Sequence, residues 1–208
     1  MGSDELRVRQ KRERESRRES IIVATQQLLN EKTFESITMD DIALKSDFAK
    51  ASIYQYFKNK DELMSEVFSK SLEMQCYLIE DKCISQRDPV QAMRNYILLE
   101  FDFIHLNPWM PKVSATIPFI GFNAENRLIE LYNKKKILIT SIIERGQIEG
   151  SFIVSDLVVL TNMILGVSAG FANYLATHIS ADLQSPVIEI LVSTIIKGMT
   201  RGSSNESN

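Results

Sequence analysis

The sequence predicts an all-α protein, with a three-helix helix-turn-helix unit at the N-terminal end and a larger helical domain after it. Three observations carry this. Eight Gly and five Pro in 208 residues leave few places to turn the chain, whereas a β-rich chain needs a turn every ~8–12 residues. Apolar residues recur at helical spacing along most of the chain. Between residues 38 and 62 two short apolar-periodic pieces flank a tight polar turn, the pattern of a helix-turn-helix. With 44% apolar and 25% charged residues the composition is that of an ordinary globular protein, which excludes collagen-like, low-complexity and wholly disordered classes.

The first element is a basic arm. Leu6–Arg18 carries Arg7, Arg9, Lys11, Arg12, Arg14, Arg17 and Arg18 against Glu13 and Glu15, and it reads equally as a solvated helix start or as a phosphate-tracking segment. Residues 1–15 are expected to be flexible. The net charge of −3 hides this asymmetry, because residues 1–60 hold twelve Lys/Arg against ten Asp/Glu and the remainder twelve against seventeen. Ser16-Arg17-Arg18-Glu19 has the form of a capping box and is followed by Ile21, Ala24, Leu28 and Leu29, so a helix is expected from 16 to 31. Thr38-Met39-Asp40-Asp41 opens the next, with a hydroxyl to cap it and acidic residues at its positive end. Ser46-Asp47-Phe48 turns the chain into a second short piece with Ile53 and Phe57. Asn59-Lys60-Asp61-Glu62 then caps a long helix through Leu63, Val67 and Leu72. These define units at 16–62 and 63–201.

Beyond residue 85 the breaks Asp88-Pro89, Asn107-Pro108, Asn123, Gly150-Ser151 and Ser185-Pro186 separate expected helices at 89–106, 108–121, 124–148, 155–178 and 186–199. A polar tail, 202–208, is expected to be disordered. Leu157–Ala181 has no Asp, Glu, Lys or Arg, long enough to raise the question of a membrane span. Thr161, Asn162, Ser168, Asn173, Thr177 and His178 interrupt it without flanking basic clusters or aromatic belts, which favours a buried helix. Gly166, Ala169, Gly170 and Asn173 share a narrow face that suits either packing within one subunit or a contact between two. The last helix presents Val187, Ile188, Ile190, Leu191, Ile195 and Ile196 on more than one side, more than a monomer can cover.

Catalytic and metal chemistry find little support. Cys76 and Cys83 would lie ~10 Å apart along a helix, too far to bridge. Only His105 and His178 are available as imidazoles, and no metal-ligand spacing, phosphate-cradling Gly loop or nucleophile elbow is present. The charged N-terminus lacks a signal-peptide pattern, and a reducing cytoplasm fits the cysteine usage.

The stretch Thr38–Phe57, TMDDIALKSDFAKASIYQYF, continued by KNKDELMSEVF to Phe68, resembles the DNA-binding domain of the TetR/AcrR family of bacterial transcriptional regulators. Tyr54-Gln55-Tyr56 before Phe57, then Lys60 and an acidic-Leu step, are specific to that pattern. Residues 143–152 followed by Asp156 are a weaker echo of the family's helix end before its last helix pair. The resemblance implies a recognition helix over Ala49–Tyr56 in the major groove. Lys50, Ala51, Ser52, Tyr54 and Gln55 would face DNA, with Ile53 and Phe57 inward. Lys50 suits guanine or phosphate, Gln55 adenine, and the phenols of Tyr54 and Tyr56 phosphate oxygens. Lys60, Arg17, Arg18 and Thr38 would flank the same backbone. Asp47 stands where the family usually has Gly, Ala49 where Ser or Thr opens the recognition helix, and Ala51 where Gly is common. A left-handed Asp47 is favoured on that spacing, the alternative being a β-region residue that caps the recognition helix.

The resemblance further implies a cytoplasmic, non-enzymatic, dimeric repressor of a double-stranded DNA operator, needing no cofactor and released by a small hydrophobic or aromatic effector. Phe101, His105, Trp109, Met110, Phe119, Tyr132, Met163 and Tyr174 are the candidate effector contacts. Gly166, Ala169, Gly170, Ile188, Leu191 and Ile195 are the candidate dimer contacts. The competing reading is a membrane-attached or scaffold helical protein built on the uncharged helix 157–181.

Overall fold

The computed structural model describes residues 2–110, 126–178 and 181–200. Helix α1 spans Gly2–Glu31, so the arm expected to be flexible is helical and Ser16 lies inside the helix rather than at its start. Pairs one turn apart, Lys11 with Glu15 at 4.0 Å and Arg17 with Glu13 at 2.6 Å, support its exposed part. Helices α2 (Met39–Ser46) and α3 (Lys50–Ile53) form the two short pieces, and α4 (Lys60–Ile79) follows. Asn59 caps α4 by accepting from the Glu62 N–H at 2.8 Å, while the Glu62 carboxylate accepts from the Lys58 N–H at 2.6 Å. One wider π turn, Glu80–Ile84, extends α4.

Helix α5 (Pro89–Leu106) starts where Asp88 accepts from the Val90 N–H at 2.9 Å, with Pro89 where its missing donor is not needed. Helices α6 (Asn126–Ile148), α7 (Leu157–His178) and α8 (Ala181–Met199) complete the described chain. The bulk of the expected helix 108–121 and the tail 202–208 lie outside the described residues. Helix α8 begins before residue 186, so Pro186 sits inside it rather than at its head. The bond that Pro forfeits there is the one a residue 186 N–H would donate to the carbonyl four residues back.

The link between α6 and α7 is fixed by a glycine. A Cβ on Gly146 would stand 2.0 Å from Cδ2 of Phe152, so only Gly lets that ring fold back under the helix end. Gly150 then turns the chain at φ 76°. Phe152 forms an antiparallel bridge with Thr200, and the Ile153 N–H donates to the Met199 carbonyl at 2.7 Å, which ties this link to the end of α8.

Two apolar cores result. The C-terminal one gathers Ile79, Cys83, Met93, Tyr96, Ile97, Phe101, Ile139, Ile143, Phe152, Ile164 and Val192. The N-terminal one gathers Ile21, Leu29, Ile42, Ile53, Phe57, Leu63, Val67 and Phe68, and it also takes in Trp109 and Leu128 from beyond α5. The division expected between residues 62 and 63 falls inside this second core.

Candidate nucleic-acid interface

Thr38 fixes where α2 starts. Its hydroxyl accepts from the Asp41 N–H at 3.2 Å and the Asp41 carboxylate accepts from the Thr38 N–H at 2.9 Å, a reciprocal cap. The Lys32 ammonium at 2.6 Å and the Thr38 groups hold the Asp41 carboxyl well below the usual carboxylate range. At the other end Asp47 adopts φ 58° and ψ 35°, the left-handed conformation expected for it. Through that turn the Phe48 N–H reaches back to the Ala43 carbonyl at 3.1 Å. Ala49 opens α3 from an extended conformation with no side-chain cap. The α-helical part is short, Lys50–Ile53, and single turns carry the segment on, with the Phe57 N–H donating to the Ile53 carbonyl at 3.0 Å.

Burial sorts the side chains of this segment. Ile53 and Phe57 are fully buried in the N-terminal core, which forces their neighbours outward. Lys50, Ala51, Tyr54 and Gln55 are exposed and Ser52 is half-buried. The outward row therefore offers an ammonium, a methyl, a phenol and an amide, the groups that read base edges and phosphates. Lys50 is held by Asp40, 2.7 Å away, and this carboxylate raises its pKa. Asp40 takes one of the three ammonium donors and leaves two for a phosphate or base.

Four of the expected DNA contacts, Tyr56, Arg18, Lys60 and Thr38, carry structural duties. Tyr56 is half-buried and packs against the N-terminal core, so its ring belongs to the fold as well as to the segment. Arg18 turns inward, with its guanidinium 4.9 Å from the Phe57 ring centroid and 2.7 Å from Glu66 on α4. Lys60 donates to the Phe34 carbonyl at 2.5 Å and the Glu35 carbonyl at 3.3 Å, with its ammonium 4.4 Å from the Phe34 ring. Burial lowers its pKa, and one of its three donors is left for an anion. Arg17 stays exposed beside Glu13, and Thr38 is exposed while serving as the cap.

Glu66 was not foreseen from the sequence. It joins Arg18 to Arg127 on α6, which lies 3.4 Å from Glu66 and 2.9 Å from Glu73, and nothing in local spacing signals partners so far apart in the chain.

The expected effector contacts do not converge. Trp109 is buried and packs on Phe68 with ring centroids 5.3 Å apart, and Met110 packs beside it, both in the N-terminal core. Phe101 is buried in the C-terminal core, edge-on to Phe171. Tyr132, Met163 and Tyr174 are exposed, and Tyr174 stacks on His178 at 4.8 Å. His105 lines a groove of about 630 Å³ with Asp81, Asn95, Asp102 and Leu106. Phe119 lies outside the described residues. A second groove of about 550 Å³ runs between α1, α4 and the end of α5, past Gln26, Lys70, Met74, Phe103 and Asn107.

Deeper in the C-terminal unit is a polar group that includes Glu100, an acidic residue that keeps a cationic ligand open in the sequence reading. Lys135 and Glu100, both buried, pair at 2.7 Å, and Lys135 donates to Gln75 at 3.2 Å. The hydroxyl of Tyr96, wholly buried nearby, has no hydrogen-bond partner among the described residues, and burial pushes its pKa well up.

Of the expected dimer contacts, Gly166, Ala169 and Gly170 are exposed, and a Cβ on either glycine would meet open space. Ile188, Leu191 and Ile195 are half-buried against the C-terminal core. Helix α7 is the one helix among the described residues long and apolar enough to cross a membrane, over Leu157–Leu175. One side of it, with Leu160, Thr161, Ile164, Leu165, Ser168, Ala172 and Leu175, is buried inside the fold.

Residues 21–67 match the family model for bacterial regulatory proteins, tetR family. No curated protein matches the chain significantly. Solved structures with the same fold include the TetR-family transcriptional regulator PfmR from Thermus thermophilus, 20% identical with a TM-score of 0.71, the alignment covering 87% of this chain and 99% of that one. The fatty acid degradation regulator FadR from Bacillus halodurans is 16% identical with a TM-score of 0.73, covering 90% and 96%. The ketosteroid transcriptional regulator KstR2 of Mycobacterium tuberculosis is 16% identical with a TM-score of 0.71, covering 89% and 96%.

Proposed function

We propose that this chain, a TetR-family DNA-binding regulator, acts as a dimeric repressor that a small hydrophobic or aromatic effector releases from a palindromic operator. The observation that carries the DNA-reading part is the outward row Lys50, Ala51, Tyr54 and Gln55, held out by the burial of Ile53 and Phe57 and aimed by the left-handed Asp47. Base contacts fall to Lys50 and Gln55, and phosphate contacts to Tyr54, Arg17 and the free donor of Lys60.

Support for the dimer is the uncovered apolar face of α7, where Val159, Met163, Val167 and Tyr174 stand exposed around Gly166 and Gly170. Small residues between large ones let a second copy of the helix approach closely, and a two-fold axis there pairs two reading segments on two half-sites. FadR is named for fatty acid degradation and KstR2 for ketosteroids, which agrees with an apolar effector for this chain. Effector release would act at the segment around Trp109, which follows α5 and packs into the N-terminal core.

Selection of bound duplexes from a random pool, with light scattering of the free protein, tests the reading. The expected results are an inverted-repeat motif and a particle of twice the chain mass at micromolar concentration. A monomer that needs detergent to stay in solution would favour the membrane-attached reading instead. Thermal-shift screening with fatty acids, acyl thioesters, steroids and aromatic acids is expected to show stabilisation by one of these classes.

A further inference from the structure

The face of α1 that packs into the N-terminal core changes character where the helix leaves the body. Within the body this face carries Ile21, Ile22, Thr25, Leu28 and Leu29, all buried. Toward the N-terminus from Arg18, successive steps of four, three and four residues along the same face reach Arg14, Lys11 and Arg7. The overhanging part thus continues an apolar stripe as a basic one. Arg9, Arg12 and Arg17 project from other sides of the helix, as do Glu5 and Glu13, while Asp4 and Glu15 border the stripe. Lys11 is 4.0 Å from Glu15, both largely exposed, and Arg7 and Arg14 have no ion-pair partner among the described residues.

The stripe starts beside the reading segment. Arg18, its innermost member, lies over Phe57, the residue that closes that segment. From there the helix runs out through residues 2–17, ~24 Å at 1.5 Å per residue, the axial length of about seven base pairs.

We propose that this overhanging helix is a second DNA contact, its Arg7, Lys11 and Arg14 face lying on the sugar-phosphate backbone of the duplex flanking the half-site read by α3. The proposal rests on the DNA-binding reading above. The occupant is a duplex because the row is cationic, evenly spaced and continuous with the reading segment, and because acidic groups stand mainly on the other sides. Three phosphate contacts add about 2.7 to the salt slope, without adding base preference.

The test uses the full chain and duplexes from the selection experiment, with long flanks or trimmed to the selected motif. One variant carries Arg7→Gln, Lys11→Gln and Arg14→Gln. The other carries Arg9→Gln and Arg12→Gln, a loss of charge from other faces that leaves Arg17 in place, and Gln keeps helix propensity in both. The first variant is expected to lower the salt slope by two to three on the long duplex, so that between 50 and 200 mM salt the wild type loses about 40-fold more affinity than this variant does. The second is expected to lower the slope by less than one, and neither to change binding to the trimmed duplex. Equal losses per removed charge in the two variants, or an unchanged first variant, would overturn the assigned face while leaving the reading segment in place. A wild-type chain that selects no duplex at all overturns the DNA-binding reading and this contact together.

Discussion

Asp47 sits in a backbone region that only Gly enters without cost, at the turn that aims the reading segment. Asp47→Gly is expected to leave stability unchanged or raise it by up to about 1 kcal/mol in urea unfolding, relief of strain offsetting the freedom Gly gains in the unfolded chain. At Gln55 the amide is exposed and makes no contact that holds the fold. Gln55→Ala should therefore keep stability, relax preference at one position of each half-site and cost about 1–3 kcal/mol of discrimination there, measured by repeating the selection. Tyr96 presents the opposite situation, a hydroxyl buried without a partner among the described residues. Tyr96→Phe removes that group without opening a cavity, and urea unfolding is expected to show equal or greater stability, by about 1 kcal/mol. A loss of effector binding in the same variant would identify the hydroxyl as a group that a ligand satisfies.

Helix α4 serves both halves, since it opens at the reading segment, and its Glu66 holds Arg18 of α1 and Arg127 of α6 at once. Glu66→Gln leaves two guanidinium groups facing a neutral amide in a largely buried place, and a loss of about 1–3 kcal/mol in urea unfolding is expected. The caps of these helices were legible in the sequence because capping is local. Thr38 with Asp41, Asn59 with Glu62 and Asp88 with Pro89 each signal a start within four residues. The beginning of α1 was not legible, because its exposed part has no apolar stripe for periodicity to detect and is supported by charge pairs instead. The head of α8 was missed because Pro normally marks a first turn, and here the helix starts earlier.

At the scale of the whole molecule the N-terminal core reaches past the end of α5 to take in Trp109, which packs on Phe68 of α4. An effector that moves this junction changes the reading unit's own core, and its effect on DNA affinity must equal the effect of DNA on its own affinity. Emission from Trp109, the only tryptophan, is expected to change on effector binding, and operator DNA to weaken the same titration. Unchanged emission together with full induction in Trp109→Phe would move the lever elsewhere. The reading segment was legible in the sequence because its residues are consecutive. The packing duties of Trp109, Met110, Arg18 and Lys60 were not legible, since what a side chain touches across tens of residues leaves no mark in local spacing.

The seat of Trp109 and Leu128 also bears on how such a chain can be recombined. A hybrid regulator cut after Glu62 and joined to another effector domain would lose Phe68 together with Trp109 and Leu128, and a hollow would open beneath the reading segment. The transplantable unit is discontinuous: it comprises α1 to the first half of α4 together with residues 107–110 and 127–131. A graft that carries these pieces keeps its operator preference, and one that omits them pairs a correct recognition surface with an unsupported floor.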